Sequence, residues 1–553
     1  MTEAHPDAGK RLDPSKLVDV EGLIRAYHDR TPDPGNADQR VTFGTSGHRG
    51  SALERRFNEA HILAIAQAVC LHRARTGIDG PLFLGIDTHA LSGPAARTAI
   101  EVFAANEVTV VTDAREGFTP TPVISHAILS YNRGRTSGLA DGVVVTPSHN
   151  PPEDGGFKYN PPHGGPSEPE VTGSIEGLAN ALLDAKLSGV RRMPYDRAYR
   201  SSALSRRDFR SAYVDDLANV LDFEAISASG LRIGIDPLGG SAVDYWPAII
   251  DRYRLDACLV SDTVDPRFGF MPADQDGRIR MDCSSPYAMA QLLDLKDRFD
   301  ISMGNDPDAD RHGIVTASQG LLLPNDYLAA CVAYLFTNRP LWPRESGIGK
   351  TMVTTVLIDR LAAQLGRPLV ETPVGFRWFV DALLEGKLGF AGEESAGATL
   401  LRKDGSVWTT DKDGIALGLL AAEIMAKTGR DPTALYAEVT AALGKPFYRR
   451  TDAPSTRREK EQLRRLTPRS FEAGQLAGET VIAVESAAPS GGAPLGGIRV
   501  RTASGWFAAR PSGTEDIYKI YAESFRGLDH LDQIEREAKA MIGAALAEAV
   551  VRR

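Results

Sequence analysis

The sequence is poor in cysteine, with only four cysteines in 553 residues. Cys70, Cys258, Cys283 and Cys331 lie far apart, and no two of them form a C-x-x-C pair. This spacing argues against a disulfide framework and against a cysteine-based zinc site. A chain of this length can bury large hydrophobic cores, so it needs neither device for stability. We therefore expect reduced core cysteines in a cytoplasmic protein.

Long apolar runs and clustered basic residues are also missing. No run approaches the roughly 20 apolar residues that a membrane-spanning helix needs. The polar start, MTEAHPDAGKRLDP, has no apolar signal segment. A net charge of -9 with interspersed signs argues against a nucleic-acid partner, because phosphate backbones select clustered Lys and Arg. The sequence predicts a soluble protein that binds neither membranes nor nucleic acids.

What the sequence does contain is a repeated α/β pattern. A strand, a helix and a second strand follow one another over residues 82–111, and again over 231–260 and 351–371. Because parallel strands need a crossover helix, three such units indicate three similar α/β domains with mixed sheets. Towards the C-terminus, short strands alternate with Gly-rich turns before a closing amphipathic helix over residues 530–551. We expect a fourth, α+β domain there.

An N-terminal arm and four domains follow from this pattern, and four domains agree with the three to four that the length suggests. The first segment contains a short amphipathic stretch over residues 17–27, and residues 450–470 are charged and typical of a linker. The predicted segments are an N-terminal arm (1–40), domain I (41–205), domain II (206–322), domain III (323–445) and domain IV (446–553).

One serine of domain I stands at the end of a predicted strand. Three β-branched residues, Val143 to Val145, predict a buried strand, and the Thr-Pro and Asn-Pro-Pro pairs after it end the strand abruptly. Ser148 therefore lies on a turn at the strand end, where open α/β sheets hold their functional groups. An ordinary surface serine in a proline-bounded turn is the alternative that this stretch alone leaves open.

Domain II contains an acidic loop after the strand over residues 299–303. Asp306, Asp308 and Asp310 occupy alternate positions, which puts three carboxylates on one side of an extended loop and suits a hard divalent cation. A calcium EF-hand is excluded, because Arg311 stands where a glycine is required and Ala317 where a glutamate is required. A helix cap would use one carboxylate, and three would repel one another without a cation.

Domains III and IV each contain a polar loop. In domain III, Glu393 and Glu394 lie between two glycines, an arrangement suited to sugar hydroxyls and equally to a solvated turn. In domain IV, residues 508–515 combine a guanidinium, two hydroxyls and a glycine whose neighbouring amides can turn towards an anion. This second loop favours phosphate binding, with Lys412 and Lys519 as candidate helpers.

The combination favours phosphoryl transfer over other serine chemistry. No Gly-x-Ser-x-Gly motif surrounds Ser148, so an acyl-transfer hydrolase has little support. The run Gly347–Thr351 is not a Walker A loop, because the first required glycine falls at Arg344. A serine, a cation loop and a separate anion site fit a reaction in which the metal offsets charge on one phosphate while the other site holds a second.

Four motifs occur in the order in which they are found in the α-D-phosphohexomutases. The chain resembles this family from Thr42 to the final helix, and within it most resembles the bacterial phosphoglucomutase branch. The motifs are Thr146–Pro151 with Gly156–Tyr159, Asp306–Arg311, Gly392–Ser395 and Arg510–Thr514.

The resemblance implies four domains around a central cleft and an enzyme that interconverts glucose 1-phosphate and glucose 6-phosphate. Ser148 would carry a phosphate, and glucose 1,6-bisphosphate would be the intermediate. Asp306, Asp308, Asp310 and a phosphate oxygen on Ser148 would bind Mg²⁺. Three alternatives stay open: the same mechanism on mannose or glucosamine phosphates, a magnesium-dependent sugar phosphatase, and a non-catalytic sugar-phosphate binder. A monomer and a homodimer are both compatible with the sequence.

The resemblance also implies roles for other residues. Lys158 matches a lysine with an acid/base role, and Arg49 and His149 match active-site positions. As a base Lys158 needs a depressed pKa, which nearby Arg49 and Arg311 would favour. His149 is equally consistent with a simple turn histidine. The implied substrate contacts are Arg311, Gly375, Arg377, Glu393, Ser395, Lys412, Arg510, Ser512, Gly513 and Thr514.

Two departures from the family pattern stand out. Pro147 occupies a position where many relatives have alanine, which stiffens the loop and leaves Ser148 in place. Residues 401–410 lengthen the connection before Lys412, so the match at Lys412 is less firm than the others.

Overall fold

The structure is a computed structural model and describes residues 4–44, 47–471, 474–512 and 517–551. Domain I contains a six-stranded mixed sheet in the order β1-β5-β4-β2-β3-β6. Strands β2, β3, β4 and β6 are parallel, whereas β5 runs antiparallel to both β4 and β1. The strands are β1 (His48–Ser51), β2 (Leu82–Ile86), β3 (Val110–Asp113), β4 (Asp141–Val145), β5 (Asp154–Asn160) and β6 (Leu204–Arg207).

Strand β4 shows why this sheet needs helices on both faces. Alternate residues of a strand point to opposite faces. Val144 accordingly packs in one core cluster, while Val143 and Val145 pack in another. Strand β6 extends to Arg207, two residues beyond the predicted end of domain I. The helices of this part are α2 (Glu59–Thr76), α3 (Ser92–Ala105), α4 (Thr121–Asn132), α5 (Pro169–Asp184) and α6 (Tyr195–Arg200).

Domain II repeats the pattern with a five-stranded sheet in the order β11-β10-β9-β7-β8. Strand β7 pairs in parallel with β8 and β9, and β10 reverses direction after the acidic loop. The strands are β7 (Ile233–Asp236), β8 (Ala257–Leu259), β9 (Ile301–Asn305), β10 (His312–Thr316) and β11 (Gly320–Leu321). The helices are α7 (Phe209–Asp216), α8 (Phe223–Ala228), α9 (Tyr245–Tyr253) and α10 (Ala290–Asp294).

Domain III has a four-stranded sheet in the order β13-β12-β14-β15. The α/β unit predicted over residues 351–371 was placed too late, because its first strand is Gly347–Thr351 and a turn follows that strand. Its glycines are buried at tight contacts: a Cβ on Gly347 would lie 2.6 Å from the Pro368 carbonyl oxygen. The strands are β12 (Gly347–Thr351), β13 (Leu369–Thr372), β14 (Leu388–Glu393) and β15 (Gly397–Leu400). The helices are α11 (Pro324–Asn338), α12 (Leu357–Leu365), α13 (Val380–Leu384), α14 (Gly414–Thr428) and α15 (Pro432–Leu443).

Domain IV is an antiparallel sheet in the order β16-β22-β21-β20-β19, with a separate two-stranded sheet β17-β18. Residues 450–470 are not the predicted linker, because they contribute a strand of this sheet and a helix packed on it. The strands are β16 (Phe447–Pro454), β17 (Gln475–Leu476), β18 (Glu479–Thr480), β19 (Ala483–Ala487), β20 (Pro494–Arg501), β21 (Gly505–Pro511) and β22 (Ile517–Ser524). The helices are α16 (Arg457–Arg464) and α17 (Leu528–Val551).

The N-terminal arm connects two domains. The Gly9 N–H donates to the Ala273 carbonyl at 2.8 Å, and Leu12 and Leu17 pack on an apolar cluster of domain II. The following helix, α1 (Val20–Asp29), instead buries its apolar face in the core of domain I. The arm therefore holds domains I and II together.

Domains III and IV meet at a buried ionic network centred on Arg499. The Arg499 guanidinium donates two hydrogen bonds to Glu371, each 2.7 Å long, and a third to Glu485, also 2.7 Å. Lys350, which is fully buried, lies 3.1 Å from the same Glu371 carboxylate. Because each charge has an opposite partner, the network tolerates burial.

Among the described helices, none has both the length and the apolar character needed to cross a membrane.

Candidate active site

Ser148 follows strand β4, as the sequence predicted, and lies beside the acidic loop of domain II. Its Oγ donates a hydrogen bond to Oδ2 of Asp306 at 2.7 Å. The serine is 1 % exposed and has a φ of 60°, in the left-handed region that non-glycine residues rarely occupy. Two segments 158 residues apart in the sequence thus form one site.

The three aspartates form the only cluster of potential metal ligands found among the described residues. One ligand oxygen from each of Asp306, Asp308 and Asp310 lies within 4.8 Å of the others, and all three side chains are buried. Oδ1 of Asp308 and Oδ1 of Asp310 are buried, and neither has a hydrogen-bond partner within residues 4–44, 47–471, 474–512 and 517–551. Buried carboxylate oxygens without partners are costly, whereas a hard divalent cation takes such ligands. The arrangement therefore fits the predicted divalent cation.

The charges in this cluster are strongly coupled. Burial and repulsion from Asp308 and Asp310 raise the pKa of Asp306 well above its usual range. Burial also acts to raise the pKa of Asp310, but the charges of Lys158 and Lys412 outweigh burial and lower that pKa. A divalent cation would stabilise the charged form of all three carboxylates.

Lys158, on strand β5, contacts two of these aspartates. Its Nζ donates to Asp308 at 2.6 Å and to Asp310 at 3.1 Å. Burial lowers the pKa of Lys158, but the two carboxylates outweigh burial and raise it. The depressed pKa expected from neighbouring arginines is therefore not found, because the carboxylates are closer and hydrogen-bonded. In this state Lys158 is a proton donor.

Lys412 and Arg311 connect the acidic loop to domain III. Lys412 Nζ lies 3.0 Å from Oδ2 of Asp310, despite the longer connection that precedes this residue. The Arg311 N–H donates to Asp306 at 3.0 Å, and Arg311 forms an isolated β-bridge with Gly397 in domain III. Both residues thus lie at the predicted site.

Arg49 and His149 flank the serine. The Arg49 guanidinium donates to Oδ1 of Asn150 at 3.3 Å, and Nδ1 of His149 lies 3.3 Å from Oγ of Ser148. Burial, together with the charges of Arg311 and Arg49, lowers the pKa of His149 well below its ordinary value. The His149 imidazole is therefore neutral at physiological pH and does not compete with a cation through its own charge.

The predicted sugar loop follows strand β14. The Gly375 N–H donates to the Glu393 carboxylate at 3.0 Å, which fixes the turn at Gly375 against the loop. Gly375 has a φ of 127°, a conformation that favours glycine. Burial raises the pKa of Glu393 to about 7, so Glu393 can donate or accept a hydrogen bond near neutral pH. Ser395 lies half-buried in the turn, and Arg377 donates to the Gly44 carbonyl at 3.1 Å.

The predicted phosphate loop belongs to domain IV. Arg510 lies near the end of strand β21, where its Nε is buried and has no hydrogen-bond partner among the described residues. The Ser512 N–H donates to the Ile517 carbonyl at 2.9 Å, which closes the loop at its base. Gly513 and Thr514 lie outside the described residues. Tyr521, on the same sheet, packs in a cluster with residues of domain III, so this face of domain IV lies against domain III.

Sequence reasoning missed two polar residues at the acidic loop. Thr121, at the start of α4, donates its hydroxyl hydrogen to Asp308 at 2.5 Å. Asp282 lies 3.8 Å from the Arg311 guanidinium, and the Met281 N–H beside it donates to the His149 carbonyl. Thr121 resembles an ordinary helix start and Asp282 lies in an irregular segment, so neither position carries a pattern that indicates its place.

Comparisons with known proteins agree with the fold and the site described above. Residues 40–185, 211–320 and 323–443 match the descriptions "Phosphoglucomutase/phosphomannomutase, alpha/beta/alpha domain I", "domain II" and "domain III", in that order. The chain belongs to the phosphoglucomutase/phosphomannomutase family. It is 57 % identical over 549 residues to the phosphoglucomutase of Komagataeibacter xylinus, with 99 % of each chain covered.

More distant relatives and solved structures are also similar to this chain. Phosphoglucomutase 1 of Saccharomyces cerevisiae is 29 % identical over 72 % of this chain and 69 % of its own. A putative phosphomannomutase from Thermus thermophilus superposes with a TM-score of 0.71 at 25 % identity, covering 93 % of this chain and all of the other. The parafusin of Paramecium, in an open form, has a TM-score of 0.70 at 21 % identity, covers 94 % of this chain and 96 % of its own, and supports the fold.

Proposed function

We propose that the protein is a phosphoglucomutase, an isomerase that interconverts α-D-glucose 1-phosphate and glucose 6-phosphate. The observation that carries this proposal is the 2.7 Å hydrogen bond between Ser148 Oγ and Asp306 inside the three-aspartate cluster. It brings the predicted phosphate carrier and the predicted cation ligands into contact. The near full-length similarity to a phosphoglucomutase supports glucose phosphates as the substrates.

The proposed resting form carries a phosphate on Ser148. In the first half-reaction the phosphoryl group passes from Ser148 to the free hydroxyl of the sugar phosphate, which gives glucose 1,6-bisphosphate and a free serine. In the second, the bisphosphate presents its other phosphate and returns that group to Ser148. One phosphoryl group moves in each step, and no water takes part.

Three groups assist these transfers. The aspartate cluster would hold Mg²⁺, which offsets negative charge on the transferring phosphate. Lys158, protonated in this arrangement, gives a proton to the serine oxygen as the phosphate leaves, and recovers one from the sugar hydroxyl that attacks. The neutral His149 and the Arg49 guanidinium contact the serine loop and orient it.

Domains III and IV are proposed to hold the sugar. Glu393 and Ser395 bind sugar hydroxyls, and the Gly375 turn with Arg377 shapes the pocket for both orientations of the substrate. Arg510, Ser512, Gly513 and Thr514 hold the phosphate that does not react. The Nε of Arg510, which is buried and finds no acceptor in the part of the chain that the structure describes, supports this assignment, because such an N–H is suited to an anion.

A coupled assay with glucose 1-phosphate, Mg²⁺ and a trace of glucose 1,6-bisphosphate tests the proposal. We expect glucose 6-phosphate to form without stoichiometric release of inorganic phosphate, and intact-protein mass to show one phosphate that maps to Ser148. Stoichiometric phosphate release would identify a phosphatase. An unmodified Ser148 together with no turnover would indicate a binding protein. Parallel assays with mannose 1-phosphate and glucosamine 1-phosphate establish the sugar preference.

A further inference from the structure

Ser148 occupies a backbone conformation that needs support. Its φ of 60° lies in the left-handed region, which is unfavourable for residues with a Cβ. Such a conformation persists only where the surrounding structure holds it in place. Part of that support is the Ser148 N–H, which donates to Oγ1 of Thr146 at 2.8 Å. The support of Ser148 therefore depends on the position of Thr146.

Thr146 is held by a buried carboxylate, Asp87, at the end of strand β2. The Thr146 hydroxyl donates to Oδ2 of Asp87 at 2.6 Å, and Nδ1 of His89 donates to the same oxygen at 2.8 Å. The other oxygen, Oδ1, accepts from the Ser92 hydroxyl at 2.5 Å and from the His89 N–H at 3.0 Å. Asp87 is 1 % exposed, and these four donors satisfy the hydrogen-bonding capacity of its buried carboxylate.

His89 extends this support to the other side of the serine. Its Nε2 lies 3.1 Å from the Asn150 carbonyl oxygen, an acceptor two residues beyond Ser148. Both ring nitrogens thus face acceptors, which requires a proton on each of them. Burial alone would lower the pKa of His89, but the charge of Asp87 and its hydrogen bond raise it. The Asp87–His89 pair is connected to the chain both before and after Ser148.

Domain II provides an internal comparison. Strand β7 also ends in an aspartate, Asp236, whose Oδ1 accepts the Leu238 N–H at 2.9 Å, as Asp87 accepts the His89 N–H. Among the described residues, no side chain donates to Asp236, and burial raises its pKa to about 6. The turn is common to both domains, whereas the added histidine and hydroxyl partners occur where the serine loop lies.

We propose that Asp87 and His89 are positioning residues that hold the Ser148 loop in its left-handed conformation, with the serine oxygen directed at the aspartate cluster. They act through Thr146 on one side and the Asn150 carbonyl on the other. This proposal rests on the proposed function, in which Ser148 carries the phosphate.

The test uses the full-length enzyme with the variants Asp87→Asn and His89→Gln. We expect each to lower kcat by about ten- to hundredfold, the loss that follows when a buried hydrogen-bond network is broken. KM for glucose 1-phosphate should change by less than about threefold, because neither residue is assigned to the sugar site. Phosphorylation of the dephosphorylated enzyme by glucose 1,6-bisphosphate, followed by intact-protein mass, should slow by a similar factor.

Two controls separate positioning from a general loss of stability. His126→Gln removes another buried imidazole that bonds a carboxylate, Asp216, at 2.7 Å but does not contact the serine loop. It should lower stability and leave kcat within about twofold of wild type. At Thr146, a serine retains the hydroxyl and should keep kcat near wild type, whereas valine should reproduce the loss seen in Asp87→Asn.

The outcomes decide the proposal even if Asp87→Asn folds poorly, because Thr146→Val only replaces one hydroxyl by a methyl group and Thr146→Ser keeps that hydroxyl. Near wild-type kcat in both His89→Gln and Thr146→Val would overturn it. So would a loss of kcat that matches the loss of folded protein, measured by near-UV circular dichroism. A wild-type enzyme that never carries phosphate on Ser148 would refute the underlying function, and the proposal with it.

Discussion

Within the candidate site, the charges of neighbouring groups determine the position and the protonation of single side chains. Ser148 and Lys158 both hydrogen-bond to carboxylates of the acidic loop, so the same three aspartates position the proposed phosphate carrier and hold the proposed proton donor in its charged state. A bound cation would compete with Lys158 for this negative charge and lower its pKa. The proposed metal site and the proposed proton donor therefore depend on the same acidic loop.

Replacing Ser148 by alanine should abolish turnover. The substitution removes the only hydroxyl proposed to carry phosphate, and we expect kcat to fall by more than roughly a thousandfold. Equilibrium binding of glucose 1-phosphate, measured by calorimetry, should be retained within about threefold. Ser229→Ala, at an exposed position, is the matched control. Mutase activity close to wild type in Ser148→Ala would contradict the assignment.

Replacing Asp308 by asparagine should weaken the binding of metal. One charged ligand is lost from the cluster, so the Mg²⁺ concentration for half-maximal activity should rise by more than about tenfold after removal of metal with EDTA. Asp297→Asn, on the surface of the same domain, should behave like wild type. An unchanged Mg²⁺ titration in Asp308→Asn would exclude this loop as the cation site.

At the scale of elements, local pattern located strands that lead into the candidate site. Strands β4 and β9 were predicted within two residues, because an apolar stretch ends there at a polar turn, and the first predicted α/β unit begins at residue 82, where β2 starts. Strand β12 was predicted too late, because glycine is uncommon inside strands; here a Cβ on Gly347 would meet the Pro368 backbone, and one on Gly349 would meet the Leu388 and Phe379 side chains. Nor does local pattern indicate that Thr121 reaches Asp308, because that contact depends on how two domains pack.

The ionic network between domains III and IV should matter for stability. Arg499→Ala leaves the buried Glu371 and the half-buried Glu485 with fewer partners, and we expect a loss of about 3–5 kcal/mol in the free energy of unfolding. Arg501 on the same strand lies 3.7 Å from Glu485 and is more exposed, so Arg501→Ala should cost less than about 1 kcal/mol. Urea unfolding followed by fluorescence measures both. A loss of stability in Arg499→Ala as small as that in Arg501→Ala would show that the network contributes little to the free energy of unfolding.

Over the whole molecule, buried neutral histidines should make stability sensitive to acid. Burial lowers the pKa of His61 to about 4 from an ordinary value of 6.5. Below about pH 6.5 the unfolded chain therefore binds a proton that the folded chain does not, so stability falls as the pH falls towards 4. His48 and His312, each with a pKa of about 3 because of burial, act in the same direction.

His61→Gln tests this pH dependence. Between pH 6.5 and 4 the variant should lose stability less steeply than wild type, by up to about 1.4 kcal/mol per pH unit. Urea unfolding at several pH values measures the slope. A slope in His61→Gln identical to wild type would show that His61 is protonated in the folded state.

The N-terminal arm also has a consequence for how the chain is made. Its apolar partners in domain II include Phe268, Met271 and Ile279, whereas α1 packs on domain I. During synthesis from the N-terminus, domain I can assemble early, but Leu12 and Leu17 have nothing to pack against until the ribosome has passed Ile279. The arm therefore emerges well before the domain II residues on which it packs, and its docking depends on the folding of domain II.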